Sequence, residues 1–133
     1  MSVFIDTSGL LAVLDKDDLH HARASRAWRE ILSSDDILVT TNYVIVETIA
    51  LTQHRLGVEA SRAFQEEIVP VLHVRWVDSK LHNAAMAILL AVARRKLSLV
   101  DCVSFELMRM EGIVSAFTFD RHFKEQGFIC VPA

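Results

Sequence analysis

The chain has 133 residues, the length of one ordinary domain and enough to bury a core without disulfides or structural zinc. Hydrophobic residues make up 52% of it, which excludes a disordered chain. The formal net charge of −3 excludes a protein that grips nucleic acid by bulk charge alone, but not one that meets phosphates through metal ions.

Val3-Phe4-Ile5 is a short β-rich run that stops at Asp6, and Thr7-Ser8-Gly9 leads into an apolar helix over Leu10–Leu14. The spacing predicts a second helix over Leu19–Ser33, with Ala22, Ala27, Trp28, Ile31 and Leu32 inside and Arg23, Arg26 and Arg29 outside. Ile37–Val39 is the next strand, and Thr40, Thr41 and Asn42 are cap candidates for a helix that reaches Arg55 before Gly57. A helix over Val58–Ile68 is stopped by Pro70, and a strand is expected over Val71–Val77. Helices are expected over Ser79–Arg95 and from Ser98 to near Gly112, then a strand over Ile113–Phe117. A short helix over Asp120–Gln126, stopped by Gly127, precedes a last strand over Phe128–Val131. This alternation predicts one α/β domain over residues 1–133, with a mostly parallel sheet covered on both faces and ligands at the carboxyl ends of the strands.

No stretch reads as a signal peptide, and the longest apolar run, Ala84–Ala93, is too short to span a bilayer, so a cytoplasmic protein with no membrane segment is expected. Cys102 and Cys130 lack any metal-ligand spacing and are expected to be reduced, buried thiols.

Four acids stand out: Asp6, Glu47, Asp101 and Asp120. Asp6 and Asp120 follow strands, where an α/β sheet builds its site, although each is also a natural N-cap for the helix that follows. Asp101 closes a Ser98-x-x-Asp101 capping box, which is its structural alternative. Glu47 has Tyr43, Val44, Ala50 and Leu51 as helical neighbours, and the polar stripe of that helix is assigned to Thr41, Thr48, Thr52 and Arg55. A carboxylate among apolar residues needs a cation, either a distant Arg or a shared divalent metal. Carboxylates with no His or Cys among them suit Mg²⁺ or Mn²⁺ better than Zn²⁺.

Val3-Phe4-Ile5-Asp6-Thr7-Ser8-Gly9, Asn42-Tyr43-Val44-Ile45-Val46-Glu47-Thr48, Leu97-Ser98-Leu99-Val100-Asp101 and Phe117-Thr118-Phe119-Asp120-Arg121-His122-Phe123 occur in that order along the whole chain. The chain resembles a PIN-domain ribonuclease, specifically the VapC-type toxin of a toxin–antitoxin pair. That resemblance implies a three-layer α/β/α fold and Mg²⁺- or Mn²⁺-dependent hydrolysis of RNA through one or two ions. It also implies a homodimer held inactive by a cognate antitoxin protein. Carried over by position, Asp6, Glu47, Asp101 and Asp120 are the catalytic and metal-binding acids, with Asp6 and Asp101 the firmest ligands, and Thr118 and Ser8 are supporting hydroxyls. Cys102-Val103-Ser104 departs from the small alanines frequent after the third acid. The resemblance does not fix which RNA is cut.

Arg23, Arg26 and Arg29, the Arg94-Arg95-Lys96 run, and Arg121 and Lys124 beside Asp120 are candidate RNA phosphate contacts, with solvated helix faces as the alternative. His20 and His21 are expected in a surface loop; His54, His73 and His82 show no ligand spacing; His122 is near the site by sequence and is weighed as a substrate contact, with the bland reading favoured. Trp28, Leu32, Leu51 and Leu56 are antitoxin-docking candidates on the strength of the resemblance, with core packing as the alternative.

Other readings are a housekeeping PIN nuclease in RNA maturation, a non-catalytic PIN-like binding module, and a receiver-type phosphoacceptor domain. The last lacks an early acidic pair and a Lys after the late strand, where Phe117-Thr118-Phe119 stands. A haloacid-dehalogenase-type phosphatase needs a second Asp where Ser8 stands.

Overall fold

The run Ser2–Ile5, apolar and buried from Val3 onward, forms strand β1 at the centre of a five-stranded sheet in a computed structural model that describes residues 1–133. Ile37–Thr41 (β2) lies on one side of it, with His73–Arg75 (β3) at that edge. Ser115–Phe117 (β4) lies on the other side, with Ile129–Val131 (β5) at the far edge. Every pairing is parallel, with Phe4 opposite both Val39 and Ala116, so the sheet expected to be mostly parallel is wholly so. A strand buried on both faces has no polar side to show, which is why β1 reads as an unbroken apolar run.

The helices are Thr7–Leu14 (α1), His21–Ser33 (α2), Asn42–Leu56 (α3), Val58–Ala63 (α4), Ser79–Val92 (α5), Leu99–Glu111 (α6) and Arg121–Glu125 (α7). Strand alternation sorts them into two layers. Phe117 packs on Trp28 of α2, ring centroids 5.7 Å apart, whereas Phe4 faces Phe123 of α7 at 6.4 Å. Phe123 in turn meets Phe105 of α6 edge-on at 4.9 Å. The result is the expected α/β/α sandwich.

Gly9 is where α1 meets the sheet. A Cβ there would lie 2.6 Å from the Phe117 ring and 2.8 Å from the Phe117 carbonyl oxygen, so backbone as well as side chain would have to move. Gly9→Ala is therefore expected to destabilise by about 2–3 kcal/mol and lower Tm by roughly 7–10 °C in a thermal melt. An unchanged Tm would mean that α1 shifts freely against β4.

Several sequence expectations move. The core row of α2 is Ala24, Ala27, Trp28 and Ile31, while Ala22 and Leu32 face water because they sit one helical step away from that row. Trp28 belongs to the core and not to a docking surface, whereas Leu32 and Leu56 are exposed. The helix after Gly57 changes pitch: Phe64–Ile68 is a π-turn that buries Phe64 and Ile68, and a 3₁₀ turn over Val69–Val71 carries Pro70. The expected strand shrinks to His73–Arg75. α5 stops at Val92, where Ala93 turns left-handed at φ 53°, so Arg94, Arg95 and Lys96 occupy a loop. Cys102 and Cys130 are unpaired thiols, but only Cys102 is buried as expected; Cys130, on the edge strand β5, is half-buried.

The largest correction concerns α3. Thr41, Thr48 and Thr52, expected on the polar side, are fully buried, and Val46 and Ala50 are exposed. The hydroxyl of Thr48 donates to that of Thr7 at 3.4 Å, so two threonines meet where α3 crosses α1. Small polar side chains that bond each other let the helices approach closely; of the apolar neighbours of Glu47, Val44 joins the core, Tyr43 and Leu51 are half-buried and Ala50 faces water.

Candidate active site

The chain runs outward from β1 to β2 and β3, then returns to place β4 on the opposite side of β1. This reversal opens a crevice at the carboxyl ends of β1 and β4. Asp6 immediately follows β1, and its N–H donates to the Phe117 carbonyl at 3.1 Å, tying the two strand ends together. Thr118 and Asp120 follow β4. One cleft of about 290 Å³ is lined by all four sequence-selected acids, Asp6, Glu47, Asp101 and Asp120, together with Ser8, Ser98 and Lys96.

The Asp6 carboxylate is 4% exposed and held by a polar cage. Its Oδ2 accepts from the Ser8 hydroxyl at 2.7 Å, the Thr118 hydroxyl at 2.9 Å and the Ser8 N–H at 3.3 Å. Ser8 Oγ also accepts from Phe119 N–H at 2.9 Å, and Thr118 Oγ1 accepts from Asp120 N–H at 3.0 Å. The two hydroxyls thus lock the loop after β4 onto the start of α1. Burial pushes the Asp6 carboxyl up to about 6; the hydroxyls oppose that rise, and the charges of Asp101 and Asp120 add to it.

Asp101 forms the capping box anticipated from its spacing. Its Oδ2 accepts from Ser98 N–H at 3.1 Å, and its own N–H donates to Ser98 Oγ at 3.1 Å. Capping and lining the cleft are not exclusive, because Oδ1 is left without a hydrogen bond in the chain. Burial raises the Asp101 carboxyl above the ordinary range, and the nearby charges of Asp120 and Glu47 push the same way. Asp120 caps α7, accepting from His122 N–H at 2.9 Å. All three aspartates therefore sit at or inside the first turn of a helix, where the positive end of the backbone dipoles tempers their repulsion. Glu47, midway along α3, makes no ion pair, so the distant-Arg alternative is not what the structure contains.

No Lys or Arg is bonded to any of the four carboxylates, although Lys96 borders the cleft. A set of carboxylate donors, two of them with raised proton affinity, fits a divalent cation. One oxygen each from Asp101 and Asp120 and a ring nitrogen of His122 lie within 4.8 Å of one another. Sequence reasoning weighed His122 only as a substrate contact; the signal for a place among the acids was its position two residues after Asp120 in the first turn of α7.

The basic candidates divide. Arg23, Arg121 and Lys124 line a second cleft of about 230 Å³ that shares Asp120 with the first. His20, expected in a free loop, stacks on Phe119 there at 4.5 Å, and His21 opens α2 with Nδ1 2.8 Å from the Ala12 carbonyl. Arg26 and Arg29 border a separate depression with Glu30, and Arg94 is bonded to Glu125 at 3.3 Å. Arg95 is exposed in the loop before α6 and borders neither cleft.

Residues 3–129 match the family model described as PIN domain. The chain belongs to the PIN domain family. A relative from Mycobacterium tuberculosis, named 23S rRNA-specific endonuclease VapC20, is 34% identical over 96% of this chain and 95% of its own length. Ribonuclease VapC26 of the same organism is 41% identical over 50% of this chain and 47% of its own. The crystal structure of Mycobacterium tuberculosis VapC20, titled a sarcin-ricin loop cleaving toxin, overlays with a TM-score of 0.86, covering 96% of this chain and 97% of that one. FitAcB from Neisseria gonorrhoeae shares the PIN fold at a TM-score of 0.67 and 11% identity, covering 96% of this chain and 95% of that one. No helix is long and apolar enough to cross a membrane.

Proposed function

We propose that this PIN domain is a divalent-metal-dependent endoribonuclease and the toxin of a VapBC-type toxin–antitoxin pair. The observation that carries the reading is the convergence of Asp6, Glu47, Asp101 and Asp120 on one cleft at the switch point of the sheet. The likeness to VapC20 along almost the whole chain makes structured ribosomal RNA the first substrate to test. RNA, a second copy of the chain and a cognate antitoxin are its proposed partners.

Asp6, Glu47, Asp101 and Asp120 hold the cation, Mg²⁺ or Mn²⁺; when bound, it supplies Lewis-acid activation of water and neutralises charge at the scissile phosphodiester. The chain's own residues do the rest. Ser8 and Thr118 fix the Asp6 carboxylate so that its geometry is set before substrate arrives. Ser98 orients Asp101, and the first turn of α7 orients Asp120. Lys96 on one side of the acids, and Arg23, Arg121 and Lys124 on the other, receive the flanking phosphates as a strand crosses the cleft. Hydrolysis in this site leaves a 5′ phosphate and a 3′ hydroxyl and needs no attack by the RNA 2′-OH.

The test is cleavage of ribosomal RNA by purified protein with Mn²⁺, Mg²⁺ or EDTA, beside Asp101→Asn. Cutting that needs the cation and disappears in the variant is expected. Cutting by Asp101→Asn at the wild-type rate, or undiminished cutting in EDTA, overturns the assignment.

A further inference from the structure

One polar atom beside the acidic cleft has no use in a four-carboxylate site. His122 is only 9% exposed, and its Nδ1 is fully buried with no hydrogen bond in the chain. An unpaired buried nitrogen is unfavourable, so its retention calls for a partner. Nδ1 lies 2.9 Å from Asp120 Oδ1 but is not aligned to bond to it, and that oxygen already accepts from the backbone N–H of His122. With no aligned hydrogen bond between them, an imidazole nitrogen and a carboxylate oxygen at this separation attract only through a shared cation, a proton on the ring or a metal ion against both.

We propose that His122, through Nδ1, joins Asp101 and Asp120 as a protein donor to the divalent ion, and that this nitrogen makes the site favour Mn²⁺ over Mg²⁺. The inference rests on the metal-dependent reading above. The spacing supports it: octahedral donors about 2.1 Å from an ion stand about 3 Å apart when adjacent and about 4.2 Å apart when opposite. The Nδ1–Oδ1 separation of 2.9 Å matches an adjacent pair, and a ring nitrogen of His122 and one oxygen each of Asp101 and Asp120 lie within 4.8 Å of one another, a limit that admits either arrangement.

The ring is also held in place. Asp120 caps the turn that carries it, and the next residue, Phe123, is fully buried between Phe4 and Phe105. A donor that needs no reordering binds at lower entropic loss. Mg²⁺ favours oxygen and keeps its waters, whereas affinity for imidazole rises once the ion belongs to the first transition row. One nitrogen among carboxylates therefore separates two ions that an all-oxygen site treats more alike.

The experiment uses metal-free protein and needs no RNA. Mn²⁺ and Mg²⁺ affinities are measured by calorimetry for wild type, His122→Phe, His122→Asn and Asp101→Asn, with circular dichroism checking each fold. Pulsed electron paramagnetic resonance on the Mn²⁺-loaded proteins reports any directly bonded nitrogen. Wild type is expected to bind Mn²⁺ more tightly than Mg²⁺ and to show nitrogen coupling. His122→Phe, which keeps ring volume without donors, is expected to lose the coupling and roughly tenfold or more in Mn²⁺ affinity while Mg²⁺ affinity changes little. His122→Asn puts an oxygen near the Nδ1 position and is expected to keep Mg²⁺ binding while losing the preference for Mn²⁺. Mn²⁺ binding that depends on Asp101 but shows no nitrogen coupling in wild type, or coupling that persists in His122→Phe, overturns the role of His122 and leaves the nuclease reading standing. Wild type that binds neither ion overturns both.

Discussion

Asp6→Asn is expected to abolish RNA cleavage and, at the same time, to make the metal-free protein more stable. The two effects have one cause. The carboxylate is buried, close to two others, and its proton affinity is raised from the ordinary 3.8 to about 6. A folded-state value above the unfolded one means that folding favours the protonated acid, so the charged form opposes folding at neutral pH. The difference between the two values corresponds to roughly 3 kcal/mol. Asn keeps the shape, and its carbonyl still accepts from the Ser8 and Thr118 hydroxyls, so the variant folds. Its Tm at pH 7.5 is expected to rise by roughly 10 °C without metal. Cleavage falls by about a thousandfold or more, because several kcal/mol of charge stabilisation at the phosphate go with the lost ligand. The pH dependence separates this account from a packing effect. Wild-type stability arising from Asp6 is present below about pH 4 and is lost as pH rises through about 6, and the Asp6→Asn variant lacks that slope. A variant less stable than wild type at pH 7.5 would mean that the hydroxyl cage stabilises the charge more than burial opposes it.

The second large effect is that of the cation itself. Mn²⁺ at a hundred times its dissociation constant is expected to stabilise the fold by about 2.7 kcal/mol, and EDTA to reverse the gain. The gain is expected to shrink as pH falls below about 6, because protons then compete for Asp6 and for Asp101, whose affinity is also raised. Melts with and without Mn²⁺ at pH 7.5 and pH 5 measure this directly. Equal stabilisation at both values would place the ion away from these two carboxylates. The same melts on Asp101→Asn are expected to show little response to Mn²⁺ at either pH.

The motif residues were legible because each stands next to a strong local signal. Asp6 follows β1, Thr118 and Asp120 follow β4, and Ser98-x-x-Asp101 declares a helix start. The capping alternatives for the three aspartates are all real, yet they do not compete with a place in the cleft. A carboxylate has two oxygens; one can close a helix turn while the other faces the crevice, as Asp101 shows. Glu47 stood out for a reason that holds only in part. Of its apolar neighbours Val44 is in the core, Tyr43 and Leu51 are half-buried and Ala50 faces water, while Thr48 and Thr52 share the buried row with Val44. It reaches the cleft because α3 crosses α1, a relation between elements that periodicity along one helix does not encode. His122 was weighed only as a substrate contact, and Lys96 only as one of a basic run that could meet phosphates, for the same reason. Their significance comes from what lies across from them, and not from what lies beside them in sequence.

The sequence by itself determined the strand–helix alternation, the parallel sheet that such alternation requires, the helix caps and the identity of four acids, of which Glu47 has no Lys or Arg within a helical turn. These are local properties, set by side-chain period, by cap chemistry and by the unfavourable burial of charge. Tertiary structure alone decided the order β3-β2-β1-β4-β5, and with it the reversal beside β1 where the crevice opens. It decided that Gly9 must be bare against Phe117, and that small hydroxyls pack the crossing of α1 and α3. It also set the buried nitrogen of His122 beside Asp101 and Asp120. Those outcomes depend on which surfaces meet when the helices close over both faces of the sheet, and close packing between distant segments leaves no period in the chain to read.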